Sequence, residues 1–166
     1  MSAQLNEILE KQQRQHNSVS KDVEQEEDII QLVGFIVGDE EYAVPILSIQ
    51  EIVKPIEHTR VPSVPSYVLG VLNMRGNVLP LIDLRGKFNL PSKSQTLDTR
   101  YMVMKDGNNE AAFVIDKLTE AIRIKSTQID PPPDTLQRGK AIYGIGKRND
   151  SIITILKVEE LLKKDF

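Results

Sequence analysis

The sequence predicts a mainly β protein made of two small, related units. Three observations carry this prediction. Short apolar runs broken by turn residues begin at Ile29, and the pattern starts again about 70 residues later. Stretches with a helical period are few and short.

The 166 residues suit one domain, or two subdomains sharing a core. A chain of this length buries roughly 70% of the surface its unfolded form exposes, so it needs no covalent staples. The absence of Cys excludes disulfides, thiolate nucleophiles and thiolate zinc sites, and a reducing cytoplasm is the expected compartment. Residues 1–28 hold three basic and seven acidic side chains, a net of −4, which leaves +1 for the rest of a chain whose total is −3. A nearly neutral body gives no electrostatic footprint for nucleic acid. No run approaches the ~18 apolar residues of a membrane span, and "MSAQLNEILEKQQRQH" lacks the apolar core of a signal peptide. Residues 1–28 read as a disordered or partly helical polar leader, with Leu5, Ile8 and Leu9 at helical spacing. This stripe reads either as a solvated leader or as a short partner-binding helix.

From Ile29 the elements follow in order. "IIQLVGFIV", "GDEE" and "YAVP" read as strand, turn and strand. "ILSIQEIV" places Ile46, Ile49 and Val53 at spacings of three and four, one face of a short helix or helical turn entered at Pro45. "PIEHTRVPSVPSYVLG" is punctuated by Pro and cannot be regular helix. "YVLGVLNM" and "NVLPLIDL" form a hairpin with Arg75 and Gly76 at its tip, and Pro80 predicts an edge or a bulge. The second series is "RYMVMKDGNNEAAFVID", a strand–turn–strand, then a short turn-rich piece, a second Pro loop, and the hairpin "AIYGIGKRNDSIITILKV". "LKVEELLKKDF" closes the chain as a helix over about 157–165. The repeat predicts a pseudo-two-fold pair of antiparallel β-units, closed or nearly closed so that few sheet edges are exposed.

Chemistry is sparse. His16 and His58 have no second ligand at metal spacing, no G-x-S-x-G elbow occurs, and "YGIGK" lacks the context of a dinucleotide site. Aromatics are at 5% with no Trp, too few for single-strand stacking platforms. Elimination points to a protein that is not an enzyme, with no cofactor and no metal. Ile46, Ile49 and Val53 then read either as core or as the wall of a groove for an amphipathic helix. Arg75 reads either as a solvated tip residue or as a bidentate partner for a carboxylate, on another protein or on Glu51.

"GDEEYAVPILSIQEI" followed by "TRVPSVPSYVLGVLNMRGNVLPLIDLRGKF" resembles the signature of the CheW family of bacterial chemotaxis adaptors. The order G-D-E-x-Y, Q-E-I, V-P-x-x-P, G-V-x-N-x-R-G and P-x-x-D-L-R covers about fifty residues, and a fainter likeness extends from Ile29 to Leu162. The resemblance implies two five-stranded antiparallel β-barrels related by a pseudo-two-fold, about 29–95 and 96–160, with strands able to swap between them. It implies no catalysis. Its implied partners are the regulatory domain of a CheA-type histidine kinase and the cytoplasmic tip of chemoreceptors, with recruitment to membrane-associated receptor arrays but no membrane insertion. Ile46, Ile49 and Val53 would line a receptor groove faced by Val114 from the other unit. Glu51 and Arg75 match the family's charged pair, while Asn73, Gly76 and Asp83 match its hairpin signature. Gly70 and Val71 would mark a kinase-binding face. The related CheV pattern adds a receiver domain, for which ~100 residues or more would be needed; a lone adaptor is therefore expected, with a CheV-type fragment as the first alternative and a small β-barrel enzyme or nucleic-acid binder as the second.

Overall fold

A computed structural model describes residues 28–134, 141–148 and 150–163. Alternating apolar positions and left-handed Gly turns set up the hairpins: β1 (Ile29–Val37) with β2 (Glu40–Pro45), and β6 (Arg100–Asp106) with β7 (Asn109–Ile115). Gly38 and Gly107 supply the positive φ at their turns. The other strands are β3 (Ile49–Val53), β4 (Val68–Met74), β5 (Asn77–Asp83), β8 (Lys117–Lys125), β9 (Ile129–Asp130), β10 (Ile142–Arg148) and β11 (Ser151–Leu156). Two one-turn helices, α1 (Leu84–Lys87) and α2 (Val158–Leu161), follow β5 and β11. No helix among the described residues is long and apolar enough to cross a membrane.

The strands form two sheets, ordered β8-β1-β2-β11-β10-β9 and β3-β6-β7-β5-β4. Neighbours are antiparallel except β2–β11 and β5–β7, which are parallel. The series β1, β2, β3, β4, β5, α1 recurs as β6, β7, β8, β10, β11, α2. Each sheet takes the first hairpin of one series and the later strands of the other. Sheet membership therefore does not follow a boundary near residue 95; the swap that the sequence reading allowed is reciprocal. The sixth strand of the larger sheet is only β9, and its counterpart in the smaller sheet is a single bridge between Thr59 and Val71.

Three apolar clusters fill the molecule. The central one draws on both sheets, with Phe35, Tyr42, Met102, Met104 and Phe113 among its buried members. Each sheet also keeps a cluster of its own: Leu32, Ala43, Ile122, Ile124, Ile153 and Ile155 in one, and Leu72, Leu79, Leu81, Tyr101, Val103 and Ala112 in the other. β7 shows why. Ala111, Phe113 and Ile115 point to the central cluster while Ala112 and Val114 point to the private one, the two-residue period of a strand buried on both faces.

Four sequence expectations change. Only Ile46–Ser48 is helical, a 3₁₀ turn, and Ile49–Val53 is a strand with a register shift between Ile49 and Glu51. A short run with apolar residues at three and four fits a bulged strand as well as a helix. The turn-rich piece after Asp116 is instead β8, nine residues paired along β1. Pro80 lies in an interior strand, but β5 meets β7 only from Leu81 onward, so Pro80 occupies the part with one neighbour. The closing helix covers Val158–Leu161, and the leader through residue 27 and residues 164–166 lie outside the described residues.

Gly70 and Gly144 occupy equivalent positions, each at a register shift in its hairpin. A Cβ on Gly70 would stand 2.1 Å from the Thr59 carbonyl oxygen, and one on Gly144 2.8 Å from that of Asp130. Both glycines let a crossing segment lie against the hairpin. Gly70→Ala is expected to lower unfolding free energy by about 2–3 kcal/mol, against about 1 for Gly76→Ala, where only positive φ is at stake. Denaturant titration of both variants checks this, and a Gly70→Ala loss no larger than that of Gly76→Ala would remove the close approach as a structural requirement.

Candidate functional site

The β4–β5 hairpin has a two-residue turn, Arg75 at φ 53° and Gly76 at φ 84°. Two successive left-handed residues match the twist of the flanking strands, and Asn-Gly or Gly-Gly is the usual choice. A non-Gly residue there costs roughly 1–2 kcal/mol. Arg75 is 81% exposed, and its Nη2 donates to Glu51 Oε1 at 3.0 Å; Glu51 is 30% exposed. Such an exposed pair contributes ~0–1 kcal/mol, so stability does not account for an arginine at this tip. Asn73 and Val78 face each other just below the turn, both exposed.

Glu51 lies on β3 and Arg75 beyond β4, the two end strands of the five-stranded sheet. The ion pair therefore bridges the two ends of a sheet curled around its private cluster. The other sheet repeats the device: Arg148, at the end of β10, pairs with Glu120 on the end strand β8.

The predicted groove residues separate. Ile46 and the neighbouring Leu47, 95% exposed, project from the 3₁₀ turn. Ile49 packs against the central cluster, whereas Val53 packs against the private one, so the three residues do not share a face. Val114 joins Val53 there: Tyr101 is opposite Val53 on one side and Val114 on the other. Val53 and Val114 thus meet within one sheet and do not face each other across two. Gly70 is buried, and Val71 is half-buried with its N–H and C=O bonded to Thr59 at 2.8 and 2.9 Å.

Asp83 is a capping residue. Its Oδ1 accepts the Arg85 N–H at 3.1 Å at the start of α1. Burial, and then Asp116, push its carboxyl above the ordinary range, against the lowering effect of that hydrogen bond and of Arg85. Leu84 is fully buried. Arg85 and Asp116 are structural neighbours of this hairpin that the sequence reading did not single out. Arg85 Nε and Nη2 donate to the Asp116 carboxylate at 2.8–3.1 Å, and Nη1 to the Pro91 carbonyl at 2.9 Å. Asp116 also accepts the Gly38 N–H at 2.8 Å. With side chains only 14% and 21% exposed, this pair ties α1, the β7–β8 junction and the β1–β2 turn together. The available signal was the D-L-R triplet itself. Among the described residues, no cluster of three or more metal-ligating side chains occurs.

The two arginines should therefore behave differently. Arg85→Ala strands a largely buried carboxylate and is expected to cost about 2–3 kcal/mol, while Arg75→Ala changes stability by less than about 1. Equal losses in denaturant titration would contradict this division. Asp83 gives a pH signature. At neutral pH it is ionised in both states and the fold bears the cost of burying the charge. That cost fades as pH falls through the raised native value and vanishes below the ordinary 3.8, where both states are protonated. Asp83→Asn keeps the cap, so it is expected to be at least as stable as the parent at pH 7, with the difference closing on acidification; thermal melts across that range read it directly.

A model of the CheW-like domain matches residues 31–166. The chain is 57% identical to the chemotaxis protein CheW of Helicobacter pylori over the full length of both, and 31% identical to that of Bacillus subtilis over 81% of this chain and 87% of the other. The crystal structure of the scaffolding protein TtCheW from Thermoanaerobacter tengcongensis superimposes with a TM-score of 0.77 at 28% identity, covering 83% of this chain and 90% of that one. With the twin-sheet topology, these relationships establish that the chain belongs to the CheW-like family and serves chemotaxis as an adaptor and scaffold.

Proposed function

We propose that the chain couples the cytoplasmic tip of chemoreceptors to the regulatory domain of a CheA-type histidine kinase, in arrays at the membrane, by protein contacts with no bond made or broken. The observation that carries this reading is Arg75, held exposed in a left-handed turn where neither backbone preference nor ion-pair energy favours it. Its planar fork suits a carboxylate on a partner, and Glu51 holds it ready. Ile46 and Leu47 add apolar contact for a helical receptor tip running along β3, an end strand of its sheet. Ile49 supports β3 from the central cluster, and Val53 and Val114 support the sheet from the private one. Asn73, Gly76 and Asp83 shape the hairpin, and the kinase domain is assigned to the face of β4–β5 that contains Gly70 and Val71.

Co-purification of the full chain with a receptor signalling fragment and the kinase tests this. Arg75→Ala and Leu47→Asp are each expected to lower receptor capture about tenfold, a loss of ~1.4 kcal/mol, with denaturation midpoints within experimental spread of the parent. Ile49→Asp is unsuitable, because it would place a charge against the central cluster. Undiminished capture of both partners by both variants would refute the reading.

A further inference from the structure

A cleft of about 300 Å3 opens on the six-stranded sheet, walled by Ile30, Leu32, Pro45, Ile129, Tyr143 and Ile155. Tyr143 is 52% exposed there, an aromatic ring at the mouth of an apolar hollow. The volume is at the lower limit of small-molecule sites, but such sites orient their ligand with convergent polar groups. Here only Ser48, Lys157 and Glu159 interrupt the apolar lining. The hollow fits aliphatic side chains.

The chain enters the fold beside this cleft. The Asp28 carbonyl accepts the Ser126 N–H at 2.9 Å, Ile29 stands opposite Lys125, and Ile30 is already a cleft wall. The segment that precedes Asp28 therefore departs at the cleft's margin. It carries Leu5, Ile8 and Leu9, flanked by Glu7, Glu10 and Lys11, charges opposite to those of Lys157 and Glu159 in the lining. Eighteen residues separate Leu9 from Asp28, a reach of roughly 60 Å when extended. A tether of this kind gives an effective concentration on the order of 1 mM, enough to populate a weak site. The family domain begins at residue 31, so these residues are an addition to it, and the relationship to the Helicobacter pylori protein runs through them.

We propose that the N-terminal segment docks in cis on this cleft, with Leu5, Ile8 and Leu9 as the inserted side chains. The inference is independent of the receptor and kinase reading, and its test uses the full chain alone. Because the chain has no Cys, a nitroxide on Gln4→Cys is a unique label. Docking predicts loss of the amide signals of Ile129, Tyr143 and Glu159, with those of Leu72 and Val103 in the other sheet retained. Adding Ile8→Asp to the labelled chain should restore the lost signals. Intact cleft signals in the labelled chain would overturn the proposal, as would losses that Ile8→Asp does not reverse. Losses that also arise when labelled chain is mixed with unlabelled, isotope-enriched chain would instead assign the cleft to a second copy and equally overturn docking in cis.

Discussion

The two parallel ladders, β2 with β11 and β5 with β7, are the constraint on which the rest depends. They join strands of the two different series: Ala43 beside Ile155, and Leu81 beside Ala112. Through them each series of strands lends its first hairpin to the sheet of the other. Neither series alone can complete a sheet, and the central cluster takes members from both. A separation of the halves would expose that cluster and break four ladders, β1–β8, β2–β11, β3–β6 and β5–β7, an outcome as costly as unfolding. The two sheets therefore form one cooperative unit, and their relative orientation is fixed by covalent connectivity as well as by packing. Ala43 and Ala112, one in each ladder, are small buried side chains of the two private clusters.

Within that frame the two conspicuous arginines do opposite work. Arg85 is withdrawn from solvent and spends its donors on Asp116 and a carbonyl, so that a helix cap, a strand junction and a hairpin turn share one set of bonds. Arg75 is held in solvent by a turn that disfavours it. Residues kept against local preference concentrate where a surface must meet something else. The contrast is sharp because both lie in the same short signature and both face a carboxylate.

Much of this was legible in the sequence. The repeat, the hairpin tip and the positive φ at Gly76 were read from local pattern, which local geometry obeys, and the Glu51–Arg75 match came from the family resemblance. Strand exchange was allowed for only through the family resemblance, because two units with the same strands in the same order read identically whether or not they swap. Ile49–Val53 was mistaken for a helical face because a bulge resets the two-residue alternation, so that Ile49 and Ile52 face one cluster and Val53 the other. Val114 was assigned across a groove, although its place beside Tyr101 depends on β6 lying between β3 and β7, a fact of topology. The Arg85–Asp116 clamp spans 31 positions and has no signature beyond a triplet whose Asp turns out to cap a helix.

Duplication with exchange also explains how a small scaffold can present unlike surfaces at a fixed angle. In each sheet an arginine at or beside a hairpin turn reaches a glutamate on an end strand, Arg75 to Glu51 and Arg148 to Glu120. The two hairpins hold corresponding places in their series, while the side chains around their turns differ. Asn73 and Val78 flank the first tip; Lys147, paired with Asp130, and Ile152 flank the second. The first tip ends in a left-handed arginine and a glycine, and the second has Arg148 as the last residue of its strand. Two identical surfaces on one chain would bind one kind of partner twice. Two surfaces on corresponding hairpins that differ in chemistry can hold different partners at a set separation, which is what a scaffold must accomplish.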